Sequence, residues 1–138
     1  MRRPAPKREG KWTEIPLDVR KRCLRRACQV CHLTYGDVHD TGKKLVYAAE
    51  ALDHLIPRRF LEHRGIDPHQ EKNLLSVCGS CHGQKKTIED RLFRGDAIGW
   101  LLGLRQIGYP VDQVVNFGVS VGLAEFKRLV GIAAGRIS

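Results

Sequence analysis

The sequence predicts a small α+β protein held together by a metal. Three observations predict it. Two short apolar runs, one of them partly β-branched, read as strands, "KLVYAAEALDHLIP" at 44–57 and "NLLSVC" at 73–78. Segments with helical spacing precede and follow them. Two Cys-x-x-Cys pairs, Cys28/Cys31 and Cys78/Cys81, bracket the strand region. With 138 residues the chain buries only a modest core, so a metal staple would add stability that apolar burial alone does not supply.

Taken in order, residues 1–11 read as a disordered basic arm, 12–94 as one compact unit, and 95–138 as a helical appendage. "TEIPLDVRKRCLRRA" at 13–27 reads as a helix, with Pro16 in its first turn and Leu17, Cys23, Leu24 and Ala27 toward the core. Cys23 is expected to be a core residue. Gly36, Asp37, Asp40 and Gly42 mark a loop. Pro57 closes the first strand region, and 58–72 reads as a polar loop. "CHGQKKTIEDRLF" starts a helix with Cys81, Ile88 and Leu92 on one face and Lys85 and Lys86 exposed. From Gly95 onward two or three helices are expected, with breaks at Gly108–Pro110 and around Gly118. Trp12 and Trp100 are expected to serve in the core or in helix docking.

The formal net charge is +9, and it is uneven. Residues 1–27 hold ten Lys/Arg against Glu9, Glu14 and Asp18, a net +7. Such an end suits a polyanion, usually nucleic acid; a solubilising tail is the plain alternative. The N-terminus is charged without an apolar stretch, and no run is long enough to span a bilayer, so an intracellular, cytoplasmic protein with reduced thiols and no membrane partner is expected. In that setting five cysteines point to metal.

Both cysteine pairs continue into histidine, His32 and His82, and so spell the c-type haem signature. Haem attachment follows export, and Met1 is the only methionine available as an axial ligand, which leaves only histidines for that role. Four thiolates from Cys28, Cys31, Cys78 and Cys81 instead make the closed tetrahedral shell of structural Zn²⁺. Redox-active or simply buried thiols are the alternative. A site closed by four thiolates has no position for catalysis, so chemistry must come from elsewhere.

"ALDHLIP" places Asp53 beside His54 at a strand end. On a continuous strand the two would leave on opposite faces, whereas a turn after Asp53 would bring them together. His82, held by the second knuckle, can reach the same place. Asp53 and His82 would then form a partly open divalent site, with His54 as a general base whose pKa suits neutral pH. Arg58, Arg59, Lys85 and Lys86 are near in sequence and could hold phosphates, with Arg20 and Arg25 contributing from the basic end. The plain alternative is a solvated strand end. His32, His39, His63 and His69 read as surface or local hydrogen-bonding residues.

"LDHLIP", "NLLSVC" and "CHGQKK" in this order resemble the His-Asn-His (HNH) endonuclease family over roughly residues 15–92. The paired knuckles resemble those of phage and prophage HNH nucleases that carry structural zinc. The resemblance implies a ββα-metal (His-Me finger) core and hydrolysis of DNA phosphodiester bonds, with double-stranded DNA as the expected partner. It implies His54 as the base that activates water, Asn73 as the central asparagine that orients it, and Asp53 and His82 as ligands of one catalytic cation. That cation would be Mg²⁺ or Mn²⁺, with Ni²⁺ or Zn²⁺ as alternatives, and the product would carry a 5′ phosphate. The sequence departs from the pattern in an extra polar loop before Asp53, in the insert "RRFLEHRGIDPHQEK" and in lacking an obvious third protein ligand.

Two further partners are expected: phage packaging proteins, and a second copy docked through the C-terminal helices. "VVNFGVSVGLAEFKRLV" at 114–130 also carries a faint helix-turn-helix pattern, with Gly118 and Ser120 in the turn and Lys127 and Arg128 toward DNA; a packing hairpin is the preferred reading. The competing function is a non-catalytic zinc module that binds nucleic acid or docks onto a phage complex.

Overall fold

A computed structural model describes residues 12, 14–25, 27–32 and 51–133. The basic arm, residues 44–50, the loop signals at 36–42 and His39 lie outside the described residues. Within them the fold is α+β, with helices α1 (Leu17–Cys23), α2 (Arg58–Glu62), α3 (Gly79–Lys86), α4 (Glu89–Phe93), α5 (Ala97–Ile107), α6 (Val111–Ser120), α7 (Ala124–Lys127) and α8 (Val130–Ala133). Strands β1 (Ala51–His54) and β2 (Leu74–Val77) pair antiparallel, from Ala51 opposite Val77 to His54 opposite Leu74.

The first helix is shorter than its sequence pattern. It ends at Leu24, whose backbone is extended, and it buries no residue. Leu17 is 66% exposed and Cys23 only half-buried, so neither belongs to the core as expected. The helix is tied down by charge instead. Arg22 Nε donates to Glu71 Oε1 at 2.6 Å, and Arg22 Nη1 reaches Asp18 Oδ2 at 3.1 Å. Next, the backbone pairs with the open edge of β2. Arg25 N donates to Ser76 Oγ and Gln29 N to Ser76 O, both at 2.8 Å, while Ser76 N donates to Gln29 Oε1. The first knuckle is thus hooked to the sheet before its cysteines are reached.

Residues 58–72 are not simply a polar loop. Pro57 opens α2, which buries Phe60 and Leu61, and a 3₁₀ turn at Glu71–Asn73 leads into β2. Two large apolar side chains three positions after Pro57 are reason enough for the segment to fold against the core.

The C-terminal helices share that core. One continuous apolar cluster runs from Cys28, Val77 and Cys81 through Ile88 and Leu92 to Trp100, Leu104, Val114, Phe117, Phe126 and Leu129. Asp96 caps α5 by accepting from Gly99 N at 2.8 Å. Gly108 ends it in the left-handed region, φ 107°, as the sequence break predicts. The second break lies later than expected. Gly118 is buried inside α6, where a Cβ would stand 2.3 Å from Phe126 Cδ2, so glycine here permits close packing of α7. The chain turns at Gly122, φ 85°. Gly118 and Ser120 therefore make no helix-turn-helix turn, and four-residue α7, with Lys127 and Arg128 exposed, is too short for a recognition helix. No helix among the described residues is long and apolar enough to cross a membrane.

Candidate metal centre and adjoining polar site

The two knuckles converge. The sulfur atoms of Cys28, Cys31, Cys78 and Cys81 all lie within 4.8 Å of one another, and Cys31 Sγ stands 3.8 Å from Cys78 Sγ. Thiolates about 2.3 Å from a tetrahedral zinc stand about 3.8 Å apart, so the donor set fits such an ion. The spacing is far beyond a disulfide bond. Val30 N donates to Cys28 Sγ at 3.4 Å, and Cys78 sits at the start of α3. Contact with Cys81 is the main cause that lowers the Cys28 thiol to about 4, while the same contact and burial push Cys81 up. Four thiols so close cannot all ionise on their own charge; a divalent cation resolves the conflict. The cluster can hold a structural metal such as zinc.

Beside it, β1 and α3 build a second polar site. Alternation along β1 sends Asp53 toward α3 and His54 the other way. No turn intervenes after Asp53: the strand runs through His54, and the bend follows at Leu55–Pro57. Because His54 is the last strand residue, it nevertheless lines the same cavity as Asp53. That cavity, about 390 Å³, is also lined by Arg58, Arg59, His82, Lys86, Glu89 and Phe93. His54 and Arg58 also border a neighbouring cavity of about 570 Å³, which Arg20 lines.

His82 Nδ1 lies 3.3 Å from Asp53 Oδ1, off hydrogen-bond alignment, and both His82 Nδ1 and Asp53 Oδ2 are buried without a hydrogen bond. Two donors held about 2.1 Å from one octahedral cation sit about 3 Å apart, so this pair fits a shared divalent ion. Burial opposes ionisation of Asp53, but the Lys85 ammonium and His82 outweigh it and hold the carboxyl below its usual range.

Lys85 departs most from expectation. It is 1% exposed, not a phosphate contact. Its Nζ donates to the His54 carbonyl at 2.8 Å and lies 3.5 and 3.4 Å from the two Asp53 oxygens and 3.2 Å from Glu89 Oε2. The reason is helical geometry. Position 85 is one turn after Cys81 on the inward face of α3, which ends at Lys86; Ile88 and Leu92 follow in the turn and in α4 and are buried there. Lys86, one residue on, is exposed in the cavity.

Asn73 is fully buried and clamps the chain around the bend. Its Oδ1 accepts from Ile56 N at 2.8 Å, and its Nδ2 donates to Ile56 O at 3.2 Å and Pro68 O at 3.0 Å. It acts on the backbone just after His54 and not on the ring. The ring instead meets His69, read from sequence as a surface residue but only 5% exposed: His54 Nε2 and His69 Nδ1 are 3.0 Å apart. No periodicity or spacing marks His69; only the fold brings it there. Burial, then His69, lower His54 to about 4, below the near-neutral value expected of a tuned base.

The basic residues divide. Arg58 is bound to Glu62 Oε2 at 3.0 Å and to the Trp12 carbonyl, and Arg59 is exposed 5.9 Å over Phe93. Arg25, exposed, turns its guanidinium back onto the carbonyls of Arg22 and Leu24, away from both cavities. His32 and His63 are exposed. No family model, curated protein or solved structure matches the chain.

Proposed function

We propose that this protein is a metal-dependent DNA endonuclease of the HNH type, with a ββα-metal core stapled by zinc on Cys28, Cys31, Cys78 and Cys81. The observation that carries the reading is the convergence of Asp53, His54 and His82 on one cavity edged by Arg58, Arg59 and Lys86. Asp53 and His82 would hold one divalent cation, Mg²⁺ or Mn²⁺. When bound, that ion supplies Lewis-acid stabilisation of charge on the phosphate and the leaving oxygen.

The chain's own residues do the rest. His54, neutral above about pH 4, accepts a proton from the attacking water. Asn73 holds the bend that follows His54, so the ring has a fixed base. Lys86 and Arg59 attract the phosphate backbone, and Arg20 extends the positive rim past His54. Lys85 keeps Asp53 ionised while leaving lone pairs on both carboxylate oxygens for a second cation.

The same Lys85 favours the second reading, a zinc-stabilised nucleic-acid-binding module, because it already compensates Asp53 without a divalent ion. One assay separates the two. Supercoiled plasmid incubated with purified protein and Mg²⁺ or Mn²⁺ should be cut, and EDTA should stop it. His54→Ala should lower the rate by about 10²–10⁴-fold with an unchanged melting temperature. Plasmid binding without cutting, unaffected by His54→Ala, would establish the module instead.

A further inference from the structure

The proposed reaction leaves unused the contact between two imidazoles, His54 and His69. His69 comes from the segment between α2 and the 3₁₀ turn, fifteen residues after His54, and it is the least exposed histidine of the described chain that meets another ring. Its placement is built, not incidental. Asp67 Oδ1 accepts from His69 N at 2.9 Å, Gln70 Nε2 donates to Asp67 O at 3.0 Å, and Asn73 Nδ2 donates to the adjoining Pro68 carbonyl at 3.0 Å. Three hydrogen bonds thus fix the tripeptide that carries the ring.

We infer that His69 is the positioning residue of His54: its Nδ1 accepts the Nε2 proton of His54, which leaves His54 Nδ1 as the unprotonated nitrogen. This rests on the endonuclease reading and deepens it. Two nitrogens 3.0 Å apart share one proton, so one ring must donate and the other accept. The question is which ring donates.

The chemistry asked of His54 decides it. His54 Nε2 is taken up by His69, so Nδ1 is the ring nitrogen left to accept a proton from water, and it can do so only if the ring carries its own proton on Nε2. Nδ1 of His69 is then the acceptor, and His54 must donate from Nε2. The opposite arrangement would place the His54 proton on Nδ1 and engage Nε2, leaving the ring no lone pair with which to accept a proton from water. During reaction His54 Nδ1 takes the water proton, the hydroxide attacks phosphorus, and the Nε2 proton stays on His54; His69 gains and loses nothing. This is the logic by which a base is held in one tautomer by a third group.

The test compares three full-length proteins on supercoiled plasmid with Mn²⁺: wild type, His69→Leu and His69→Asn. The Asn Oδ1 can stand where His69 Nδ1 stands and accept the same proton. His69→Leu should lower kcat by about 100-fold with KM unchanged, as expected when a base loses its orientation, and His69→Asn should recover most of that loss. A purely structural role would be met as well by Leu as by Asn. In parallel, nitrogen NMR of the wild-type rings should show His54 protonated at Nε2 and bare at Nδ1, a readout that needs neither cleavage nor a folded variant. Equal kcat in wild type and His69→Leu, or a His54 proton on Nδ1, overturns the role of His69 while leaving the nuclease standing. A wild type that binds but never cuts overturns the nuclease reading and the positioning role with it.

Discussion

The cysteine cluster and the Asp53 site meet on α3, which supplies Cys81 to one and, a turn later, Lys85 to the other, yet they meet the problem of buried charge in opposite ways. Cys28, Cys78 and Cys81 are buried sulfurs packed together, and contact between Cys28 and Cys81 lowers the first thiol and raises the second. Asp53 is as deeply buried but carries its own counter-ion in Lys85. The first can be balanced by a metal such as zinc. The second is balanced by the chain and keeps one oxygen, Asp53 Oδ2, without a hydrogen bond.

The largest effect should come from breaking the first site. Structural zinc is worth on the order of 10 kcal/mol in small domains, comparable to the whole stability of a protein of this size. A tight zinc chelator, or Cys81→Ser, should abolish cooperative thermal unfolding followed by circular dichroism. Removing Mg²⁺ alone should scarcely move the midpoint. A chelated protein that still melts cooperatively at the original temperature would show that the cysteines need no metal.

Next comes the chain's own counter-ion. Lys85→Met strands a carboxylate that is 4% exposed, and breaking a buried pair from one side costs about 3–5 kcal/mol. Denaturant melts should show that loss, and added Mn²⁺ should restore part of it by taking over the charge of Lys85. Restoration by Mn²⁺ is specific to a carboxylate with room for an ion; no restoration would argue that Asp53 has none.

A smaller effect sharpens the contrast at His54. Its folded pKa is depressed, so the unfolded chain binds the proton first as pH falls, and stability is lost between about 6.5 and about 4. Above that window the group contributes its full share. Melts of wild type and His54→Gln at pH 7, 5.5 and 4.5 should differ in slope over this range, with the variant flatter. Parallel curves would place His54 in water. The smallest effect is expected at the rim: Lys86→Ala should weaken plasmid binding uniformly and reduce the slope of log affinity against log salt by about one.

The sequence by itself determined the four-cysteine cluster. Two Cys-x-x-Cys pairs carry their own local geometry, because each knuckle is four residues long and any fold that joins them makes a four-sulfur cluster. It also determined β2, the helix after Cys81, the break at Gly108 and the candidate trio Asp53, His54 and His82, all of which rest on short-range pattern. Lys85 was legible too, since it follows Cys81 by one helical turn, but the habit of placing lysine outside hid it. Other features belonged to the tertiary structure alone. The exposure of α1 could not be read, because its anchors are Glu71 and Ser76, some fifty residues away. Gly118 looked like a turn until Phe126 was seen against it. His69 had no pattern at all; a loop residue acquires a role only when the chain folds it onto a partner, and contacts across such distances leave no period in the sequence.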